Sequence, residues 1–349
     1  MRYQNQIEVE DLIIRTGEYS IIDVRTASEY GKGSVLGSIN IPLFNEEERA
    51  RIGLVYQKSP KAARFLALDL ASPKLPQFIR KIYSHSQEKV PVAVCWRGGM
   101  RSRATVELLD LAGIEALQLR GGYHRYRQHI YQALCNYQLQ SQILVLKGKS
   151  GTGKTEILNL LARQGRPVLD LEDLAAHRGS AFGVYPQEHP ATQKNFEAKL
   201  LRELQRLEGS SWLLVEGESK RIGNIYLPDF LFAAMQTAPA VEVEGALTKR
   251  VERIVRDYAP ANHEGRLMMY RALSKLRHKL PKATFAELKQ CLDNEDYSRF
   301  VDLALSKYYD RTYDHQLQDN EVLARVNSNC IQSAAAEIAT LLDNYCEKR

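Results

Sequence analysis

Val94-Cys95-Trp96-Arg97-Gly98-Gly99-Met100-Arg101-Ser102 is the stretch from which the fold of the first part of this chain is read. The apolar run ahead of it, residues 91–94, has the length and composition of a buried strand. Gly98 and Gly99 let the backbone turn sharply, and from Ser102 the spacing of Thr105, Leu108, Leu109 and Ala112 is that of a helix. Strand, tight loop and helix follow in order, with Cys95 where the strand ends. A thiol placed there faces loop N–H groups, a helix N-terminus and the cations Arg97 and Arg101. All of these favour thiolate, the reactive form. Most lone cysteines are small core residues. That plainer reading leaves the Gly-Gly turn and the two arginines without a purpose.

Working outward, residues 19–22 form a short strand ended by Asp23-Val24-Arg25, and residues 116–119 form another, closed by Gly121-Gly122. Asp23 and Arg25 read as a structural ion pair at a strand end. Residues 44–76 form a charged helical insertion, and residues 77–84 a further helix. Strands alternating with helices predict an α/β layer with a mainly parallel sheet. In such sheets sites form at the carboxyl ends of strands, where Cys95 falls.

The chain has 349 residues, which suggests about two domains. Hydrophobic content of 44% and charged content of 26% are those of an ordinary globular protein. No apolar run approaches a membrane span, and the polar N-terminus lacks a signal core, so the expected location is the cytoplasm. Cys95, Cys135, Cys291, Cys330 and Cys346 are scattered with no Cys-x-x-Cys pair, which argues against a disulfide framework and a structural zinc site. The net charge of +6 is compatible with an anionic partner.

The second half is read from residues 142–155. A buried strand, residues 142–146, runs into Gly148-Lys149-Ser150-Gly151-Thr152-Gly153-Lys154-Thr155 and then a helix through Ile157, Leu160 and Leu161. This is G-x-x-x-x-G-K-[ST] in its strand–loop–helix setting. Gly148, Gly151 and Gly153 let backbone N–H groups converge on phosphate oxygens. Lys154 adds a cation, and Thr155 can hold Mg²⁺ through its hydroxyl. A nucleotide and a diphosphate satisfy this loop equally. Residues 167–171 form the next strand, bearing Asp170, followed by His177 and Arg178 in a polar cluster that either faces a substrate or forms an ordinary turn. Residues 212–216 form a third strand ending in Glu216, with Glu218 just beyond; one of these acids would organise a metal where Asp is usual, which weakens an ATP-hydrolysis reading.

Residues 123–140, rich in Tyr, Arg and His, read as a helix connecting two domains. From about residue 249 the chain turns helical and basic. Arg250, Arg253 and Arg256 recur at intervals of three and share one helix face, and Arg271 and Lys275 continue the run. These are the candidates for phosphate contact with RNA, against the alternative of a solvated face.

Asp23-Val24-Arg25, Glu29-Tyr30, Gly37-Ser38-Ile39-Asn40-Ile41-Pro42, the Cys95 loop and Leu119-Arg120-Gly121-Gly122-Tyr123 together resemble a rhodanese domain. The family's usual Gly-His-Ile reads Gly33-Ser34-Val35 here. Joined to a P-loop domain, with Asn45-Glu46-Glu47 in the insertion and His177-Arg178-Gly179-Ser180 followed by Phe182-Gly183, the chain resembles the tRNA 2-selenouridine synthase family. The resemblance implies a rhodanese-like domain over 1–125, a linker helix over 126–140, and a P-loop NTPase-like α/β domain with a helical C-terminal extension over 141–349. It implies selenium for sulfur exchange in wobble 2-thiouridine of tRNA, with Cys95 as carrier and selenophosphate as donor. It further implies prior S-geranylation by geranyl diphosphate. Two readings from other classes stay open: a sulfurtransferase fused to an ATP-dependent small-molecule kinase, and a non-catalytic phosphate-regulated binding module.

Overall fold

The computed structural model describes residues 5–176, 191–260, 262–313 and 320–347. The chain divides into two compact units, Met1–Asn136 with Glu197–Leu201, and Tyr137–Phe196 with Arg202–Arg349.

The first unit is built on a parallel five-stranded sheet in the order Gln6–Ile7, Leu117–Leu119, Val90–Val94, Tyr19–Asp23, Ile39–Asn40. Tyr19–Asp23 is buried along its whole length, and Val90–Val94 along all but its first residue, as expected for central strands of a parallel sheet. The insertion is a pair of helices, Glu46–Lys58 and Pro60–Ala71, and their starts are written in the sequence. Asn45 and Glu48 form a reciprocal capping box, and Ser59 caps the second helix with Pro60 in its first turn. Ile52, Ala67 and Leu70 turn inward onto a core of Ile22, Val24, Phe44, Phe78, Ile82 and Leu109.

Asp23 and Arg25 are an interior ion pair. The Arg25 guanidinium donates to both Asp23 oxygens and to the Gly33 carbonyl, and it lies 4.2 Å from the centre of the Tyr123 ring. Its Nε and Nη2 groups find partners, which helps keep a buried charge tolerable.

The helix expected to link two domains begins earlier, at Gly122, and ends at Cys135. Tyr123, Tyr126, Ile130 and Leu134 bury one face of it, so it is an integral layer of the first unit. Aromatic residues scattered among cations hide that stripe in the sequence. Gly122 has φ of +59°, and a Cβ there would sit 2.2 Å from the Cys95 carbonyl and 2.5 Å from the Gly98 amide. The helix start is thus pressed against the Cys95 loop. Gly122→Ala is expected to cost on the order of 2–3 kcal/mol through positive φ and backbone clash. Thermal denaturation should show a midpoint lower by several degrees; an unchanged midpoint would mean the loop and helix separate freely.

The second unit also has a parallel five-stranded sheet, ordered Val322–Asn327, Ala240–Glu244, Gln142–Lys147, Trp212–Glu216, Val168–Leu169. The strand that delivers the P-loop is the middle one. Helices Lys154–Arg163 and Ile331–Glu347 cover the sheet through Ile157, Leu158, Leu161, Ala334, Ile338 and Leu342. The helical region, beginning with Leu247–Tyr258, has its own core of Ile254, Leu273, Leu288, Leu292, Phe300 and Leu305. It lies between two strands of the sheet, Ala240–Glu244 and Val322–Asn327, and the chain returns to the sheet afterwards.

Candidate active site

Cys95 follows strand Val90–Val94 and its Sγ accepts a hydrogen bond from the Gly99 amide at 3.1 Å. The Ser102 hydroxyl lies 3.1 Å from the same sulfur. Gln118, on the neighbouring strand, donates to the Gly98 carbonyl at 2.8 Å and to Ser102 Oγ at 2.9 Å. It ties the loop, the helix Met100–Leu111 and the sheet together. Gln118 escaped the sequence reading. Its signal is a polar residue inside the apolar run 116–119, buried in the structure.

The sulfur is less open than the sequence suggests: Cys95 is 3% exposed. The loop folds over it, leaving Trp96, Arg97 and Met100 on the outside. A Cβ on Gly99 would meet nothing within 4 Å, so the residue whose amide holds the sulfur itself borders open space. The two loop arginines part company. Arg97 is exposed, whereas Arg101 is clamped by both oxygens of Glu29 at 2.6 and 3.1 Å. Burial works to raise the Glu29 carboxyl, but the bond and charge of Arg101 outweigh it and hold the group down at about 2. Arg101 therefore braces helix Met100–Leu111 against helix Ala27–Gly31.

In the second unit, the P-loop conformation depends on glycine at two positive-φ positions, Gly151 at +79° and Gly153 at +86°. A Cβ at Gly153 would lie 2.3 Å from Ile331 Cδ1. Lys154 Nζ donates to the Gly148 carbonyl at 2.9 Å and lies 3.8 Å from Glu216 Oε1. Thr155 is exposed in the first turn of helix Lys154–Arg163.

Glu216 ends its strand 1% exposed, and its Oε2 has no hydrogen-bond partner. One oxygen from each of Glu172, Glu216 and Glu218 falls within 4.8 Å of the others. Burial and the Glu172 charge push Glu216 up to about 8, against the pull of Lys154. Burial and Glu216 push Glu218 up to about 7. Asp170 caps the helix Leu171–Leu174 and is also raised by burial. Three converging carboxyl groups with an orphaned buried oxygen fit a divalent cation, which satisfies such groups with oxygen ligands. Glu172 is the member that the sequence reading missed, two residues after Asp170.

The face expected to present Arg250, Arg253 and Arg256 to RNA is turned inward for the first two. Arg250 donates to the Ser150 carbonyl at 2.8 Å and pairs with Asp310 at 2.6 and 2.9 Å. Arg253 donates to the carbonyls of Gly151 and Ser328. Both brace the P-loop from behind. Arg256 is exposed and paired with Glu156 and Asp257. Helix Leu247–Tyr258 has to bury a face against Ile254's core, and these arginines lie beside it. Arg271 and Lys275 are exposed on helix His263–Lys275. His177 and Arg178 lie outside the described residues.

Comparison with known proteins covers both units. Residues 6–129 match the family model of the rhodanese-like domain, and residues 141–347 match that of the tRNA 2-selenouridine synthase AAA domain. A tRNA 2-selenouridine synthase of Nitrosomonas eutropha is 32% identical over 95% of this chain and 87% of its own length. One from Shewanella piezotolerans is 33% identical, covering 87% of this chain and 90% of the relative. One from Sulfurovum sp. is 32% identical, covering 91% and 94%. Among the described residues, no helix is long and apolar enough to cross a membrane.

Proposed function

This chain belongs to the tRNA 2-selenouridine synthase family, and on that premise we propose that it exchanges sulfur for selenium in wobble 2-thiouridine through an S-geranyl intermediate. The supporting observation is the presence in one chain of a cysteine cradled by a loop amide and a P-loop built for phosphate oxygens. Thiocarbonyl sulfur is a poor leaving group. Its attack on C1 of geranyl diphosphate forms a C–S bond, breaks the C–O bond and releases diphosphate. A selenium nucleophile then attacks C2 of the base, and geranyl thiol departs.

In the first step the P-loop amides and Lys154 hold the diphosphate as negative charge develops on it. Thr155, Glu172, Glu216 and Glu218 would hold Mg²⁺, which when bound neutralises further charge on the leaving group. In the second step Cys95 assists delivery of selenium from selenophosphate: the selenium, already at the selenide level, attacks C2 as geranyl thiol departs, and water then cleaves the Se–P bond and releases phosphate. Arg97 adds positive charge at the loop, and Arg101 fixes the loop's helix. Arg271 and Lys275 offer exposed cations to tRNA phosphates. The protein would work in the cytoplasm, where tRNA is.

Mass spectrometry of tRNA nucleosides tests this. Thiolated tRNA with protein and geranyl diphosphate should yield S-geranyl-2-thiouridine, and adding selenophosphate should convert it to 2-selenouridine. Phosphate transfer from ATP to a small molecule, with tRNA unchanged, would instead support the kinase reading.

A further inference from the structure

Trp96 is out of keeping with its position. It follows the buried Cys95 directly, yet it is 39% exposed, while the chain's other tryptophan, Trp212, is 7% exposed. An indole left in water forgoes the stabilisation that burial would give it. Trp96 is also held firmly. The Tyr123 amide donates to the Cys95 carbonyl and the His124 amide to the Trp96 carbonyl, each at 2.9 Å. The start of helix Gly122–Cys135 thus grips the backbone at both residues. The indole lies edge-on to His124, with centroids 5.9 Å apart, and tilted against Tyr123 at 5.8 Å. Tyr123 packs in turn on Tyr126 at 6.2 Å. Trp96 is therefore the solvent end of a fixed aromatic stack. Arg97 beside it is exposed and makes no ion pair among the described residues.

A rigid exposed ring next to an uncommitted guanidinium suits a nucleobase with its adjoining phosphate. We propose that Trp96 is the stacking platform for the target base, holding it flat beside the Cys95 loop while Arg97 meets the neighbouring phosphate. This rests on the reading that Cys95 serves a tRNA base, and it adds the contact that brings the base there. An isoprenoid chain is the weaker occupant, since it has no planar aromatic face to match the ring.

The test uses the whole protein and an anticodon stem-loop RNA bearing 2-thiouridine. Titration should quench tryptophan emission in the wild type and leave Trp96→Phe, which reports Trp212 alone, unchanged. Binding followed by anisotropy of labelled RNA should weaken roughly tenfold in Trp96→Ala and stay close to wild type in Trp96→Phe, as expected for one base–aromatic stack. Absence of quenching, or quenching by geranyl diphosphate but not by RNA, overturns the platform. So does a folded Trp96→Ala that binds like the wild type. If that variant does not fold, the wild-type quenching decides alone. Nucleoside mass spectrometry of geranylated tRNA incubated with selenophosphate and Cys95→Ser separates the two levels. A Cys95→Ser variant that still selenates the base counts against the parent reading, whereas Cys95-dependent selenation without quenching counts only against the platform.

Discussion

Cys95→Ser should abolish selenium transfer while leaving S-geranylation of the tRNA intact. The substitution is close to isosteric, and the Gly99 amide that donates to Sγ can donate to a hydroxyl oxygen as readily. Ser102 and Gln118 keep their own bonds, so the loop should hold its shape. What is lost is chemical. A hydroxyl is far less acidic than a thiol, so serine supplies no anion at the loop to assist selenium delivery. A loss on the order of a hundredfold to ten-thousandfold is the scale for deleting such an assisting group from an intact site. Nucleoside mass spectrometry reads both products from one digest: 2-selenouridine should vanish and S-geranyl-2-thiouridine accumulate. Retained selenation would remove Cys95 from the reaction. Loss of both products, with the protein folded, would mean that the two steps share one pocket.

The sequence shows the strand-loop-helix units best where chemistry constrains them. Gly98-Gly99 after an apolar run, and Gly148 to Thr155 after another, each mark a strand end that the structure bears out. What failed to show is what acts at a distance. Strands Ala240–Glu244 and Val322–Asn327 are short and alternate polar and apolar residues only over their last four positions, too few to separate from loops before their parallel pairing is known. Arg250 and Arg253 look like a cationic face in one dimension. Their commitment to the carbonyls of Ser150 and Gly151, roughly a hundred residues earlier, exists only in the fold. Glu172 sits near Glu216 for the same reason: adjacent parallel strands bring their carboxyl ends together. Trp96 was visible, but its exposure was not, because composition does not tell which side of a tight loop faces water.

Lys154→Ala separates the two duties of the P-loop lysine. The ammonium lies between the Gly148 carbonyl and Glu216, so it fixes the loop besides the proposed duty toward the diphosphate. Glu216 is raised from 4.5 to about 8 mainly by burial, and Lys154 is the cation that opposes the rise. Between those values the folded protein keeps a proton that the unfolded chain has lost, so stability falls as pH rises through that window. Without Lys154 the fall should steepen toward pH 8, and the thermal midpoint there should drop below that of the wild type. Glu216→Gln in the same chain removes the charge being buried and should restore the midpoint. It should not restore alkylation. A preorganised cation at a developing diphosphate charge is worth on the order of a hundredfold in rate, and glutamine supplies none. The double variant should therefore be stable across pH 7–8 yet make S-geranyl-2-thiouridine at about a hundredth of the wild-type rate or less, since Glu216 also belongs to the proposed Mg²⁺ site. Its selenation of tRNA already bearing the geranyl group should continue, since Cys95 is untouched. A double variant that alkylates normally would show that the P-loop lysine has only a structural role and that the diphosphate is held elsewhere.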